Sequence, residues 1–367
     1  MRLYIHWPFC GSRCAYCDFN ARTARSRVVK EYAERLRSEL ALWREVLPRH
    51  GGLRSLYLGG GTPSTMRGDE VASLLAYCRR LFAVRGDAEV TVEVNPATWG
   101  ERDFVAARKG GVNRVSIGVQ SLDDHVLQLL GRGHGASDAV AAVRNARRAG
   151  FASVSVDLMF GLPLESGHDF RRDLEKALSL HPHHVSTYAL ALSLRTRMGR
   201  SVSRGELRLP EEDDVAEEYR DGARMLREAG YHRYEISNFC LPGHACHHNL
   251  AYWRREDYLG AGAGAHSLLA GWRFNNLESV IAYNRILRGG ILPVSAGSRL
   301  SERDERSERI MLGLRMAKGI PEILLAGAGR LADLEEYGLV RREQGRVLLT
   351  ERGMLLSNPV IAELMPA

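Results

Sequence analysis

The sequence predicts an α/β protein, a partial (β/α)6 barrel followed by a smaller C-terminal winged-helix-like α+β module. Two observations indicate this class. Up to about residue 230, six short apolar segments alternate with amphipathic segments, a pattern typical of βαβ units in a parallel sheet. Three cysteines, Cys10, Cys14 and Cys17, follow the first apolar segment, and in such barrels the loops after the strands carry the chemistry.

The predicted strands are short runs rich in β-branched and apolar residues. They are Leu3–Trp7, Ser55–Leu58, Glu89–Val94, Arg114–Val119, Ser153–Met159 and His184–Leu190. The predicted helices place apolar side chains at helical spacing, as Leu36, Leu40 and Trp43 do in the first of them. They are Val28–Leu47, Ser137–Ala149, Asp169–Leu180 and Glu211–Glu228.

The composition changes after residue 230. Residues 231–297 are rich in Gly, Asn, His and aromatic residues and contain the stretch HNLAYW; we interpret them as a segment that connects the barrel of residues 1–230 to residues 298–367. In that C-terminal module, a hairpin turning at Gln344 and Gly345 follows three predicted helices. The helices are Glu305–Met316, Ile320–Leu325 and Leu331–Tyr337. We favour a packing or substrate-covering role for this module over DNA binding.

The composition is that of a globular protein, with 45% hydrophobic and 26% charged residues among 367. No apolar run reaches the roughly 18 residues of a membrane span, and no signal-peptide pattern opens the chain, so we expect a cytoplasmic protein. The formal charge is +7, but the arginines are spread along the chain. This distribution favours a solvated basic surface over a nucleic-acid partner, and an acidic ligand is the alternative.

The spacing of Cys10, Cys14 and Cys17 predicts a metal centre, because clustered thiols in a cytosolic chain more often bind metal than form disulfides. A structural zinc site takes four protein ligands, and the fourth would have to come from far along the chain. Three thiolates on one short loop better suit a [4Fe-4S] cluster, whose usual ligands are thiolates. One iron would then stay open to chelate a substrate. Among the other cysteines, Cys78 is predicted to lie in a helix core.

The C-x₃-C-x₂-C motif after a first strand, with Tyr16 before its last cysteine, resembles the radical SAM superfamily. This resemblance implies that the open iron chelates S-adenosylmethionine (SAM) and that the reduced cluster cleaves its sulfonium. The run Gly59–Gly61 after the second strand supports the resemblance, because glycines let the backbone approach a ligand closely. Alone, the run could be a tight βα turn.

The order of the motifs resembles the family of oxygen-independent coproporphyrinogen III oxidase, from Leu3 to about Leu364. That resemblance implies SAM contacts at Tyr4, Tyr16, Gly60, Gly61, Thr62, Glu93, Gln120, Arg132 and Asp157. The last four mark successive strand ends, where each could instead be a structural polar group.

Two departures from the oxidase resemble its relatives, the HemW-type heme chaperones. Phe19 stands where the oxidase carries a further cysteine, and the first strand begins at Leu3 without the oxidase's N-terminal extension. The stretch HNLAYW also matches the HNxxYW signature of these chaperones, which implies heme contacts. The matching residues are His248, Asn249, Tyr252 and Trp253. Alternatively, His-Asn caps a turn and Tyr-Trp packs in the core.

The resemblance implies a heme chaperone that binds heme, a [4Fe-4S] cluster and SAM and passes heme to acceptor proteins such as respiratory enzymes. It further implies an electron donor for the cluster, transient contact with membrane proteins and a homodimer. The alternatives are radical decarboxylation of coproporphyrinogen III and a related radical SAM methylase or cyclopropanase. The sequence names no catalytic residue and leaves open whether SAM is cleaved in the function.

Overall fold

The predicted alternation of strands and helices folds into one large sheet covered by helices. A computed structural model describes residues 1–47, 51–327 and 329–366. Its twelve-stranded sheet has the order β12-β11-β10-β9-β1-β2-β3-β4-β5-β6-β8-β7. The strands are β1 Arg2–Trp7, β2 Leu53–Gly60, β3 Val84–Val94, β4 Arg114–Gln120, β5 Ser153–Phe160, β6 His184–Ala189, β7 His232–Glu235, β8 Asn238–Cys240, β9 Tyr258–Ala261, β10 His266–Leu269, β11 Trp272–Asn276 and β12 Val294–Arg299.

The six predicted strands, β1 to β6, lie side by side in chain order, and each pairs with the next in parallel. Side chains from all six line one cavity, so the sheet curves around that cavity as a partial barrel does. The predicted fold class is therefore confirmed. The strand bounds agree with the predicted ones to within two residues at every end except the start of β3, where they differ by five.

The helices that connect the barrel strands cover the outer face of those strands and bury an apolar face against them. In the first helix, Leu36 and Leu40 are at most 1% exposed, and burying each leucine is worth about 1.5–3 kcal/mol. The helices are α1 Ser26–Val46, α2 Gly68–Leu81, α3 Glu101–Lys109, α4 Asp124–Leu129, α5 Ala136–Arg148, α6 Phe170–Leu178, α7 Arg197–Ser203, α8 Glu212–Glu228, α9 His247–Trp253, α10 Val280–Arg288, α11 Glu302–Gly313, α12 Leu331–Glu336, α13 Glu351–Leu355 and α14 Ser357–Glu363. Cys78 is buried in α2, as predicted.

The predicted connecting segment, residues 231–297, extends the barrel sheet at both edges. Strand β8 pairs antiparallel with β6, and β9 pairs in parallel with β1, with Arg2 opposite Tyr258. The barrel sheet therefore has a seventh parallel strand that comes from far along the chain. The domain boundaries at residues 230 and 297 stay predictions.

The C-terminal residues have a hydrophobic cluster of their own, which includes Ile310, Leu314 and Val347. The hairpin prediction is confirmed, since β14 (Val340–Glu343) and β15 (Arg346–Leu349) pair antiparallel. Gln344 and Gly345 both have positive φ, 51° and 72°, as a two-residue hairpin turn requires. Residues 328 and 367 of the predicted module lie outside the described residues.

The predicted helix Ile320–Leu325 is confirmed only in part. Ile320 and Pro321 form a short strand, β13, that pairs with β15, and Glu322–Leu325 is a 3₁₀ helix. Pro321 explains the difference, because a proline disfavours helical backbone at the preceding residue. Among the helices that the structure describes, none combines the length and apolar character needed to cross a membrane.

Candidate cofactor-binding cavity

A cavity of about 630 Å³ lies inside the curved sheet, a volume within the usual range of small-molecule sites. Alternate residues of a strand face the same side, so Ser116, Gly118 and Gln120 of β4 all face inward and line it. Every predicted site residue except Trp253 is in the lining. Those residues are Cys10, Cys14, Cys17, Tyr4, Tyr16, Gly60, Gly61, Thr62, Glu93, Gln120, Arg132, Asp157, His248, Asn249 and Tyr252.

The cysteine loop forms the cavity end that lies at the carboxyl ends of the parallel strands. Backbone hydrogen bonds hold it: the Cys10 N–H donates to the Arg22 carbonyl at 3.0 Å, and the Ala15 N–H donates to the Leu130 carbonyl at 2.9 Å. The thiols of Cys10, Cys14 and Cys17 are free and partly exposed. The loop therefore presents three thiols to one cavity.

The donor set fits an iron–sulfur cluster. Thiolates are the usual ligands of such clusters, and three line this cavity end. Across the described residues, no three His, Cys, Asp or Glu side chains converge as they would around a single metal ion. Burial raises the pKa of the Cys10 and Cys17 thiols, so iron binding, which requires thiolates, would release protons.

The glycine run at the end of β2 is required by close packing. An added Cβ at Gly60 would lie 2.5 Å from the His6 ring, and one at Gly59 would lie 2.9 Å from the Glu93 carboxyl. Gly60 also has φ of +118°, which side-chain-bearing residues rarely adopt. The backbone of this strand end thus approaches both neighbouring strands and the cavity closely.

Glu93 is fixed by two donors beside this glycine run. Its carboxyl oxygens accept hydrogen bonds from the Tyr57 hydroxyl and from the Gly60 N–H, each at 2.9 Å. Burial raises its pKa, and these hydrogen bonds oppose the rise. A rigid carboxyl group with unused lone pairs therefore faces the cavity and can accept hydrogen bonds from a ligand's ammonium or hydroxyl groups.

Three further predicted residues surround the same end. Arg132 donates to the Cys14 sulfur at 3.4 Å and to the Gly118 carbonyl at 2.8 Å, while its buried Nε has no partner among the described residues. Gln120 accepts a hydrogen bond from Tyr188 and has φ of 69°, a strained backbone for a non-glycine residue. The Ser116 hydroxyl donates to Asp157 at 3.1 Å. Arg132 thus offers a donor without a partner among the described residues, and Gln120 and Asp157 offer acceptors that are held in place. These groups fit SAM, which is a nucleoside derivative that carries a carboxylate.

Helix α9, which carries the HNxxYW stretch, closes the opposite end of the cavity. The Glu89 carboxylate accepts hydrogen bonds from the His247 and His248 N–H groups, both at 2.9 Å, and a carboxylate there complements the helix dipole. The His248 ring contacts the Ser55 hydroxyl at 2.8 Å and the Tyr252 hydroxyl at 3.0 Å. Both ring nitrogens are therefore engaged.

The two ends of the cavity are well separated. Ser55 lies near the amino end of β2, level with Glu89, and Arg114 begins β4, level with Thr91 and Tyr57, whereas the cysteines follow the carboxyl end of β1. Gln120 is six positions after Arg114, which is roughly 20 Å along a strand. The thiol loop and the HNxxYW helix thus face each other across the length of the barrel.

Sequence reasoning missed the inner polar layer, to which Arg114, Tyr57 and His184 belong. The signal was present in the strand RVSIGVQ, where Arg114 and Ser116 share the period-two face of Gln120. His184 lies between Ser155 and Tyr234, at 2.8 Å from each. These pairings join distant strands, so the sequence alone does not predict them.

The fold and the thiol loop define a radical SAM protein, and the radical SAM superfamily profile matches residues 4–177. The chain is 39% identical to the heme chaperone HemW of Mycobacterium tuberculosis strain H37Rv, covering 99% of this chain and 94% of that protein. It is 34% identical to the Bacillus subtilis HemW, covering 97% of both. The chain belongs to the HemW heme chaperone family.

A solved structure gives the same fold. The coproporphyrinogen III oxidase HemN from Escherichia coli superposes with a TM-score of 0.84 at 24% identity, covering 99% of this chain and 89% of that one. At this identity the likeness shows the fold alone, which is a partial barrel with a C-terminal addition.

Proposed function

We propose that this protein is a heme chaperone that holds a [4Fe-4S] cluster and SAM and passes heme to acceptor proteins. The observation that carries the proposal is Phe19, which lines the cavity beside the cysteine loop and is 70% exposed. Exposing a phenylalanine ring to water is unfavourable, and such a ring can stack on the flat face of a porphyrin. Where the oxidase pattern has a cysteine, this chain offers an apolar contact.

When bound together, the cluster and SAM supply reductive cleavage of the sulfonium. We assign the binding of the cluster and of SAM to the following residues of this chain. Cys10, Cys14 and Cys17 bind the cluster, Glu93 accepts from the amino group or ribose of SAM, and Arg132 donates through its free Nε. The remaining contacts to SAM are proposed for Tyr4, Tyr16, Gly60, Gly61, Thr62, Gln120 and Asp157.

The HNxxYW helix contributes the other end of the same cavity, and a heme contact there stays a proposal. Burial lowers the pKa of His248 to about 3, so the ring is neutral, as an iron ligand must be. Its Nε2 contacts the Tyr252 hydroxyl, which would have to move before iron could bind. If the Tyr252 hydroxyl stays in place, the HNxxYW residues form the inner wall of the cavity and do not bind iron.

The partners follow from the proposed role. We infer that the protein works in the cytoplasm, receives electrons from a donor protein and meets heme acceptors, including respiratory enzymes at the membrane, as a homodimer. The exposed Phe19 ring and Arg195, which pairs with Asp18 at 2.6 Å beside it, form the rim that an acceptor would approach.

Anaerobic reconstitution of the cluster, followed by two parallel assays, tests the function. We expect the reconstituted protein to bind hemin with a shifted Soret band and to release no carbon dioxide from coproporphyrinogen III with SAM and reductant. Phe19→Ala serves as the matched variant and should weaken hemin binding while keeping the iron–sulfur absorbance. Stoichiometric formation of protoporphyrinogen, or absence of hemin binding, would overturn the proposal.

A further inference from the structure

The inner layer of the cavity contains a buried arginine whose charge has no hydrogen-bonded counterpart among the residues that the structure describes. Arg114, the first residue of β4, is 4% exposed and lines the cavity. Its Nε is buried without a partner, and within the described part of the chain its guanidinium group takes part in neither a hydrogen bond nor an ion pair. Burying an unpaired charge is costly, so this arrangement calls for a ligand.

The carboxyl groups that face Arg114 are already engaged elsewhere. Glu93 is hydrogen-bonded to Tyr57 and Gly60, and Asp157 is held by Ser116. Glu89 caps the HNxxYW helix through two backbone N–H groups. None of the three lies within ion-pair distance of Arg114, although each contributes a favourable field. Burial also raises the pKa of Glu93 and Asp157, which weakens the negative charge they offer.

The chemistry of the missing counterpart follows from the guanidinium group. Its planar fork of N–H donors matches a carboxylate in a two-bond arrangement. Two sources of a carboxylate belong to the proposed function: a propionate of the tetrapyrrole and the amino-acid end of SAM. The position favours the tetrapyrrole, because SAM chelated at the cysteine loop has the Arg132 guanidinium group beside that loop. Arg114 begins β4, two residues before the level of Glu93 and six positions before Gln120, on the inner side of the proposed SAM contacts.

We propose that Arg114 binds a propionate of the tetrapyrrole at the inner end of the cavity. This inference rests on the proposed heme-binding function and gives that function an anchor point inside the barrel. The propionate then lies at the inner end of the cavity, and the proposed SAM contacts and Phe19 lie nearer the cysteine loop. The HNxxYW helix forms the floor against which the propionate is held.

Hemin and its dimethyl ester, whose propionates carry no charge, test the proposal on the reconstituted protein. We expect the wild type to bind hemin roughly ten- to hundredfold more tightly than the ester, as a charge-assisted hydrogen-bonded pair provides. Arg114→Met should remove this preference and leave affinity for the ester unchanged. Arg13→Met, which removes an exposed arginine of the cavity lining, is the matched control and should keep the preference.

The alternatives give different results. A preference for hemin that survives in Arg114→Met, or that is lost in Arg13→Met instead, overturns the assignment to Arg114. Weaker SAM binding in Arg114→Met with unchanged hemin affinity would mean that the carboxylate is that of SAM, which also overturns it. If the wild type binds neither hemin nor the ester, the proposed function itself fails. Arg114→Lys keeps the positive charge but lacks the planar pair of N–H donors. If Arg114→Met does not fold, a reduced preference of Arg114→Lys for hemin over the ester supports the proposal, and an unchanged preference overturns it.

Discussion

Substitutions of Glu93 can distinguish a ligand-binding role of its carboxyl group from a structural one. In Glu93→Ala, the Tyr57 hydroxyl and the Gly60 N–H lose an acceptor that each now reaches at 2.9 Å. A buried donor left without an acceptor costs about 1–3 kcal/mol, so the variant should lose about 2–6 kcal/mol of stability. Its SAM affinity should also fall by about tenfold or more, because a charge-assisted hydrogen bond to the ligand is lost.

Glu93→Gln makes the two effects distinguishable. The amide keeps an oxygen that can accept from one of the two donors, so most of the stability should remain. It lacks the negative charge, so SAM affinity should still fall by about tenfold. Tyr57→Phe is the matched control: it removes one donor to Glu93 and leaves the carboxyl group in place, so SAM affinity should stay near that of the wild type.

Two measurements on the reconstituted protein decide the matter. Calorimetric titration with SAM gives the affinity, and thermal unfolding followed by circular dichroism gives the stability, with the iron–sulfur absorbance as a check on the cluster. The reasoning fails if Glu93→Gln binds SAM as tightly as the wild type. Glu93 would then be a packing residue that holds the ends of β2 and β3 together.

Three further predictions test other parts of the site. Replacing Cys10, Cys14 and Cys17 together by Ala should abolish the iron–sulfur absorbance after reconstitution, whereas replacing Cys78, Cys240 or Cys246 singly should not; loss of the absorbance in any of these single variants contradicts the cluster assignment. His248→Ala should alter the Soret band of bound heme and leave cluster and SAM binding unchanged. An unchanged band would rule out His248 as the iron ligand and would leave the proposed heme binding intact. Because burial lowers the pKa of His248 from 6.5 to about 3, the wild type should lose stability as the pH falls from 6.5 towards 3; urea unfolding should show a smaller loss in His248→Gln, and equal losses would refute the buried neutral ring.

The barrel was predictable because each of its strands carries a local signal. Arg114–Val119 and Ser153–Met159 are short apolar runs, and both fold as strands at nearly those bounds. The short strands of residues 231–297 have no such signal, since β8 and β9 are three and four residues long. They exist because they pair with β6 and β1, which the sequence does not reveal.

The candidate site was predictable at its cysteine end and not at its inner end. Spacing alone places Cys10, Cys14 and Cys17 on one loop. The Nδ1 atom of His248 contacts Ser55, which is 193 residues away in sequence. Arg114 was interpreted only as the start of a strand, although it shares the period-two face of Gln120. Long-range polar contacts thus account for what sequence reasoning missed.

The pairing of β9 with β1 has a consequence for synthesis of the chain. Strand β1 is synthesised before the other strands of its sheet, yet its partner on one side, Tyr258–Ala261, is made about 250 residues later. Until then β1 is an edge strand, and exposed edges pair readily with other chains. A nascent chain halted before residue 258 would therefore carry its complete cysteine loop on an unprotected sheet, which makes stalled or truncated products prone to aggregation.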